Sequence, residues 1–564
     1  MGQEASSIVV PKQRTYTGRN PVIPSRLADT PCTTLGVQGL LDPLNTTLGT
    51  SYSLDDPFFS YLLEYYIPDD CDFGLAYSYL RQIWYTDDWK SVIHLIDLCS
   101  DEDQEKRRKA LVGNQIVNSS LPPRRVWDLY SNRVVPYWTM VTRRVWPQPI
   151  SHAWVEEKDR TAVWTPINNY EWPVPIPKDA NLDLIRIEML NLGVEYAWLD
   201  VLCLRQVGGR REDLRVEEWK VDVPTIGRVY NPGAQYVYFS VMYYLSGLGR
   251  PLTLKEGDLE SDRSWFRRAW TLQEVGESRV GADREIAGDT SSGPLHAKCK
   301  DGEFHKQLQD TRDLSWLHQQ LGEMQNRVST NPVDKIAGLA FLVQSHPIPA
   351  YSESASLEEA WTALVYSMNV GPRAQLFVLC AEPGDGGPKW RPSWHQVMTK
   401  PLLPYAVMGQ YVHRDARDED WCNESCIEGF VRGLAVVEGG DRDGEFIVER
   451  DDGVKRFKIT AAHTYPIPED AYTLIYFSCL DPDNLNYPDG VPNASSSSHT
   501  FQRILAVRQC KLWHDSHVYI TVTHLPRHYY VVDFFGIVPG DSNWANFRVI
   551  LAASSTHERF TSHP

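Results

Sequence analysis

Asp179-Ala-Asn-Leu-Asp-Leu-Ile-Arg-Ile-Glu-Met-Leu-Asn-Leu-Gly-Val-Glu-Tyr-Ala-Trp-Leu-Asp-Val-Leu-Cys-Leu204 reads as an amphipathic helix followed by a buried strand. Leu182, Ile185, Met189 and Leu192 recur at steps of three and four, which gives a helix one apolar face. Asn181 or Asp179 offers a side-chain oxygen to cap its start, and Gly193 can close its end in the left-handed conformation. Beyond the glycine, Tyr196 to Leu204 is nearly continuous apolar sequence, as in a strand covered on both faces. A helix feeding such a strand predicts a parallel sheet.

The pattern extends in both directions. Glu217 to Tyr230 predicts a helix bent near Pro224, and Gln235-Tyr-Val-Tyr-Phe-Ser240 a strand after it. Upstream, Pro149-Ile-Ser-His-Ala-Trp154 predicts an earlier strand running into a loop. The expected fold class is α/β, a compact doubly wound domain. In such a sheet ligands bind beyond the carboxyl ends of the strands, which singles out Ser151, His152, Asp200 and Ser240. Arg263-Ser-Trp-Phe-Arg-Arg-Ala-Trp-Thr-Leu-Gln-Glu-Val275 follows the third strand and opens the next expected helix.

Three strings in this region, Ile150-Ser-His-Ala-Trp154, Trp198-Leu-Asp-Val-Leu-Cys-Leu-Arg-Gln206 and Trp265-Phe-Arg-Arg-Ala-Trp-Thr-Leu-Gln-Glu274, together resemble the fungal heterokaryon-incompatibility (HET) domain. Arg327-Val-Ser-Thr-Asn-Pro-Val-Asp-Lys-Ile-Ala-Gly-Leu339 and Arg391-Pro-Ser-Trp394 resemble segments that follow that domain, so the likeness spans about residues 125–395. The strand, serine, aromatic loop and W-x-x-x-E helix also resemble the Toll/interleukin receptor (TIR) domain, which implies a flavodoxin/TIR-like sheet. In catalytic TIR domains the glutamate of W-C-x-x-E cleaves the nicotinamide bond of NAD. Trp270-Thr-Leu-Gln-Glu274 matches that string except that Thr271 stands in place of the cysteine. The resemblance implies self/non-self recognition and cell-death signalling, with other death-signalling or incompatibility proteins, or further copies of the chain, as partners. NAD would then be a substrate, and no resident cofactor is expected.

A carboxylate at 274 suits that chemistry, because glycosidic cleavage at a cationic nicotinamide passes through an oxocarbenium-like ribose. Arg267 and Arg268 could grip a pyrophosphate, and Trp265 or Trp270 could stack on a ring. The alternative is structural: Glu274 complements a helix dipole or pairs with an arginine, and the tryptophans are core. Ser151 beside His152 invites a nucleophile-and-base reading with Asp200 as orienter. Adjacent strand side chains point to opposite faces, so the two are not expected to bond. Asp200, costly to bury unpaired, is expected to accept backbone, Arg or His hydrogen bonds, or to contact a ligand. Cys203, in its apolar run, is expected to be an inert core thiol. Trp154 completes the ligand-binding candidates.

Composition bounds these readings. The 564 residues, 42% hydrophobic, predict two or three globular units. A balance of 56 basic against 73 acidic residues, net charge −17, disfavours nucleic acid as a partner. Ten scattered cysteines and no apolar leader after Met1 predict reduced thiols and a cytoplasmic chain. Cys422 and Cys426 lack a second Cys/His pair, so no metal is expected. Met1-Gly2-Gln3-Glu4-Ala5-Ser6 fits the myristoylation pattern at Gly2 and would give weak, reversible membrane association. No Walker loop, G-x-G-x-x-G, G-x-S-x-G or H-E-x-x-H string is present, which disfavours kinase, ATPase, lipase and metalloprotease readings.

The expected organisation is a flexible lead over 1–50, a helical unit over 51–120, the HET-like domain over 125–285, a helical extension over 286–400 and a β-rich unit over 401–564. Phe59, Leu62, Leu63 and Tyr66, then Ile93, Leu95, Ile96 and Leu98, carry the helical spacing. The charged run 101–109 reads as a solvated helix face. Ile336 to Val343 predicts a packed helix, and Asp334 and Lys335 before it are expected to be structural. In the last unit Asp452-Gly453 predicts a hairpin turn between Phe446-Ile-Val448 and Phe457-Lys-Ile459, and Ser495 to Ser498 a loop.

Overall fold

The computed structural model describes residues 15–232, 241–244, 264–275 and 316–376 with short interruptions, residues 391–402, short pieces beside these, and strand backbones between 411 and 553. Gly2, Tyr66, Gln235 to Ser240, Cys422 and Ser495 to Ser498 lie outside the described residues. The chain divides into two compact units. One takes residues up to 313 together with Arg327–Leu342 and His346–Ala355; the other takes Leu314–Asn326, Val343–Ser345 and everything from Ser356.

The first unit is α/β. Its sheet has six strands: β1 (Arg125–Asp128), β2 (Arg133–Pro136), β3 (Gln148–His152), β4 (Tyr196–Trp198), β5 (Met242–Tyr244) and β6 (Ile286–Ala287). They lie in the order β6-β5-β3-β4-β1-β2. β6, β5, β3 and β4 run parallel, while β1 joins β4 antiparallel and forms a hairpin with β2. The sheet is therefore mixed, and the expectation of a purely parallel one is corrected at the β1–β2 edge.

The helix before β4 spans Leu182–Asn191, with Asn181 accepting Leu184 N–H at 3.1 Å and Gly193 at φ 83°. Leu182, Ile185 and Met189 are buried as the spacing requires, but Leu192 lies past the last turn and is exposed. The strand beyond it stops at Trp198. Asp200–Cys203 is a helical turn, because the Asp200 carboxylate accepts Val201 N–H at 2.7 Å and starts a new helix end. The predicted strand Tyr196 to Leu204 is shortened accordingly. The helix expected to bend at Pro224 is split into Glu212–Asp222 and Ile226–Tyr230. Trp265–Arg267 is a separate 3₁₀ turn, and the α-helix carrying Glu274 begins only at Thr271. Ile336 to Val343 is helical only to Ala337 and continues in turns.

Residues of the expected lead are built into this unit. Cys32–Leu48 is helical with a break at Gly36, whose φ of 63° a side chain would strain. Ile23 is buried, and its carbonyl accepts Arg186 Nη2 at 2.8 Å. The same buried guanidinium reaches the Leu129 and Tyr130 carbonyls, and burial lowers its pKa to about 10. Phe59, Leu62 and Leu63 are buried, whereas Leu98 is exposed. Within the charged run, Arg107 departs from its solvated neighbours: it is buried and bonds Asp103 at 2.8 Å.

In the second unit, Ser356 and Ser393 open the helices Leu357–Ser367 and Trp394–Thr399 with capping boxes completed by Glu359 and Gln396. Arg391-Pro-Ser-Trp394 is structural there: Arg391 pairs with Glu358 at 3.0 Å and Pro392 O accepts Trp361 Nε1 at 2.9 Å. Ten strands between Tyr411 and Ala553 form one sheet, in which Phe446 pairs with Phe457 across the expected hairpin. No helix among the described residues is long and apolar enough to cross a membrane.

Candidate functional site

Ser151 and His152 end β3, and their side chains leave it on opposite sides toward two different carboxylates. Ser151, fully buried, donates to Glu274 Oε2 and accepts Trp265 Nε1–H at 2.6 Å. His152 Nε2 lies 2.8 Å from Asp200 Oδ1, and Trp154 Nε1–H donates to Asp200 Oδ2 at 2.8 Å. Ser151 and His152 do not bond each other, and Asp200 takes the backbone and histidine bonds expected of it. No ion pair joins Glu274 to a described arginine, so the expected alternative of an arginine partner is replaced by the Ser151 hydroxyl.

The two acids are pushed in opposite directions. Burial raises the Glu274 carboxyl to about 7, with the Ser151 bond opposing and the Asp200 charge adding. Burial would raise Asp200 as well, but the charge and hydrogen bond of His152, then the N–H groups of Trp154 and Val201, hold it below its ordinary value. His152 mirrors this: burial would lower it, while the charge and hydrogen bond of Asp200 raise it. A hydrogen-bonded His152–Asp200 pair thus stands near a carboxyl group that titrates around neutrality.

His152, Asp200 and Glu274 share the wall of one cavity of about 370 Å³, within the range of small-molecule sites. Trp154, Trp198, Trp219, Trp270 and Tyr351 supply its aromatic surface. Its position fits an open α/β sheet, since the residues that follow the carboxyl ends of β3 and β4 line it. Among the sequence-derived candidates, Trp154, Arg268 and Trp270 also reach the wall. Trp265 is fully buried, Ser151 sits behind Glu274, and neither they nor Arg267 line the cavity. Cys203 is buried, its thiol pushed up to about 12 chiefly by that burial.

Arg160, Trp219, Tyr351 and Glu353 also line the cavity and carried no functional signal in local sequence. Arg160 opens the hairpin Arg160–Val163/Val174–Pro177, and its guanidinium carbon lies 5.2 Å from the Trp154 ring centroid. The motif at 327–339 runs beside the one at 265–274. Ala269 N–H donates to Val328 O at 3.0 Å, and Arg327 Nη1 donates to Arg268 O at 2.9 Å and Thr271 Oγ1 at 2.8 Å. Thr271, at the cysteine position of the TIR-like string, thereby ties this turn together. Asp334, expected to be structural, also faces the cavity and accepts the Tyr351 hydroxyl at 2.7 Å. Among the described residues no group of three His, Cys, Asp or Glu side chains is placed to hold a metal ion.

Compared with known proteins, the chain matches no family model, no curated protein and no solved structure.

Proposed function

We propose that this is a HET-type protein of self/non-self recognition and cell-death signalling whose α/β unit cleaves the nicotinamide N-glycosidic bond of NAD, with Glu274 as the catalytic carboxylate. The observation that carries this reading is a buried glutamate, raised to about 7, on the wall of an aromatic cavity beside the hydrogen-bonded His152–Asp200 pair. The parallel strands β3, β4, β5 and β6, numbered one to four, stand in the spatial order 2-1-3-4. That order is flavodoxin-like, which supports the doubly wound, TIR-like reading of the fold.

In the proposed reaction the ribose C1′–N bond breaks and its electron pair leaves with neutral nicotinamide. The ionised Glu274 stabilises the oxocarbenium-like ribose, water adds to C1′, and the proton it loses passes to the carboxylate. Trp270 on the wall offers a ring for stacking. The acting proteins of this reading are cytoplasmic, assemble with death-signalling partners, and touch membranes weakly through acylated Gly2.

A second reading has its own observation. Ser151 links Glu274 to Trp265 in the interior, as residues that only hold a fold together would be linked. The motifs would then build a non-enzymatic interaction module. NAD consumption by concentrated full-length protein separates the two. Turnover that disappears in Glu274→Ala and Glu274→Gln, both shown to fold, supports the hydrolase; no turnover under any assembly condition leaves the interaction module.

A further inference from the structure

We propose that Arg160 and Arg268 form an anion clamp that holds the phosphates of a nucleotide in the cavity walled by Glu274. This deepens the nucleotide reading of that site and rests on it. Both arginines line this same cavity. Among the described residues, neither forms an ion pair, and Arg160 Nε is buried with no hydrogen-bond partner. Elsewhere in the same unit arginines are neutralised at close range: Arg124 by Asp222 at 2.6 Å, Arg125 by Glu218 at 2.7 Å, Arg133 by Asp72 at 2.8 Å. The acids on the cavity wall are engaged by other groups. Asp200 holds His152 and Trp154, Asp334 holds Tyr351, and Glu353 pairs with Arg215 at 3.0 Å.

Two like charges are thus left facing one space. Arg268 is held below the usual arginine pKa, first by burial and then by repulsion from Arg160, with Asp334 opposing. Repulsion of this kind is relieved by a bound anion, and a pyrophosphate offers both arginines planar oxygen pairs at once. The mounts are fixed. Arg160 lies over Trp154, whose indole N–H is tied to Asp200, and the Arg268 backbone is pinned by Arg327 and by a bridge to Val328. Trp154 therefore connects Arg160 to the acid cluster. Of the pair expected from sequence to grip a pyrophosphate, Arg268 keeps the role and Arg160 takes the place of its chain neighbour Arg267.

The test is equilibrium titration of the full chain, by calorimetry, with inorganic pyrophosphate, ADP-ribose and adenosine. Arg160→Met and Arg268→Met should each weaken pyrophosphate and ADP-ribose by about tenfold or more and leave adenosine unchanged. Arg→Lys at either position, which keeps the charge and loses the fork, should weaken both anions by less. Should a methionine variant fail to fold, the lysine variants carry the test. Absence of anion binding by the wild type, or equal affinity in the substituted proteins, overturns the clamp. No bond breaks in this measurement, so its outcome is independent of the hydrolase reading. Glu274→Gln that binds ADP-ribose normally while consuming no NAD separates loss of chemistry from loss of the clamp.

Discussion

Glu274 and Asp200 flank the same strand end and share one cavity, yet their surroundings drive their carboxyl groups apart. Glu274 has a neutral hydroxyl for a partner and is raised to about 7; Asp200 has an imidazole and two N–H donors and stays ionised. The difference lies in what β3 presents to each: Ser151 on one side, His152 on the other. Two acids of unequal affinity for protons are how a site assigns distinct tasks to like residues. Here one acid can exchange a proton near neutrality and the other holds a fixed charge.

The sharpest way to break the comparison is to exchange functions by substitution. Glu274→Gln, which keeps a hydrogen-bond partner for Ser151, should abolish NAD consumption by about a thousandfold or more while melting as a folded protein. Asp200→Ala should instead act on stability, costing roughly 3 kcal/mol or more in urea unfolding at pH 7, because His152 loses its buried counter-charge and Trp154 its acceptor. If both variants behave alike, the two acids are one structural unit.

The pH dependence sharpens it further. A carboxyl raised to about 7 from an ordinary 4.5 binds its proton more tightly folded than unfolded, so stability is lost as pH rises between those values. Glu274→Gln should therefore be more stable than wild type at pH 8, by roughly 3 kcal/mol, with the gap closing toward pH 4.5. The pair runs opposite at its acid end: Asp200 stabilises above its unfolded pKa and loses this as pH falls, while His152 stabilises below its own and loses it as pH rises. Smallest is Trp154→Phe, which removes one N–H from Asp200 and should cost about 1 kcal/mol by thermal melting.

What the sequence revealed follows from how local each feature is. The helix before β4 was legible because its period, its Asn181 cap and its closing Gly193 all lie within a few turns. The strand after it was overread, since an apolar run does not distinguish a strand from a helical turn, and Asp200 bonding its own neighbour's N–H decided for the turn. Cys32–Leu48 was hidden by Gly36 and Pro43, both inside the helix. His152, Asp200 and Glu274 were visible through their motifs and strand ends. Arg160, Trp219, Tyr351 and Glu353 were not, because hairpin, helix and loop bring them together only in the folded unit.

Arg186 gives this organisation a practical edge. Its guanidinium collects carbonyls from Ile23, Leu129 and Tyr130, so one side chain stitches the beginning of the chain to the β1 turn and the helix before β4. A fragment cut to start near residue 125 would keep both carboxylates and every residue that lines the cavity, yet strip one carbonyl from a buried cation. Asp128 would lose Arg81, and Arg133 would lose Asp72. The smallest piece able to stand alone is set by these buried arginines, well upstream of the motifs that first draw the eye.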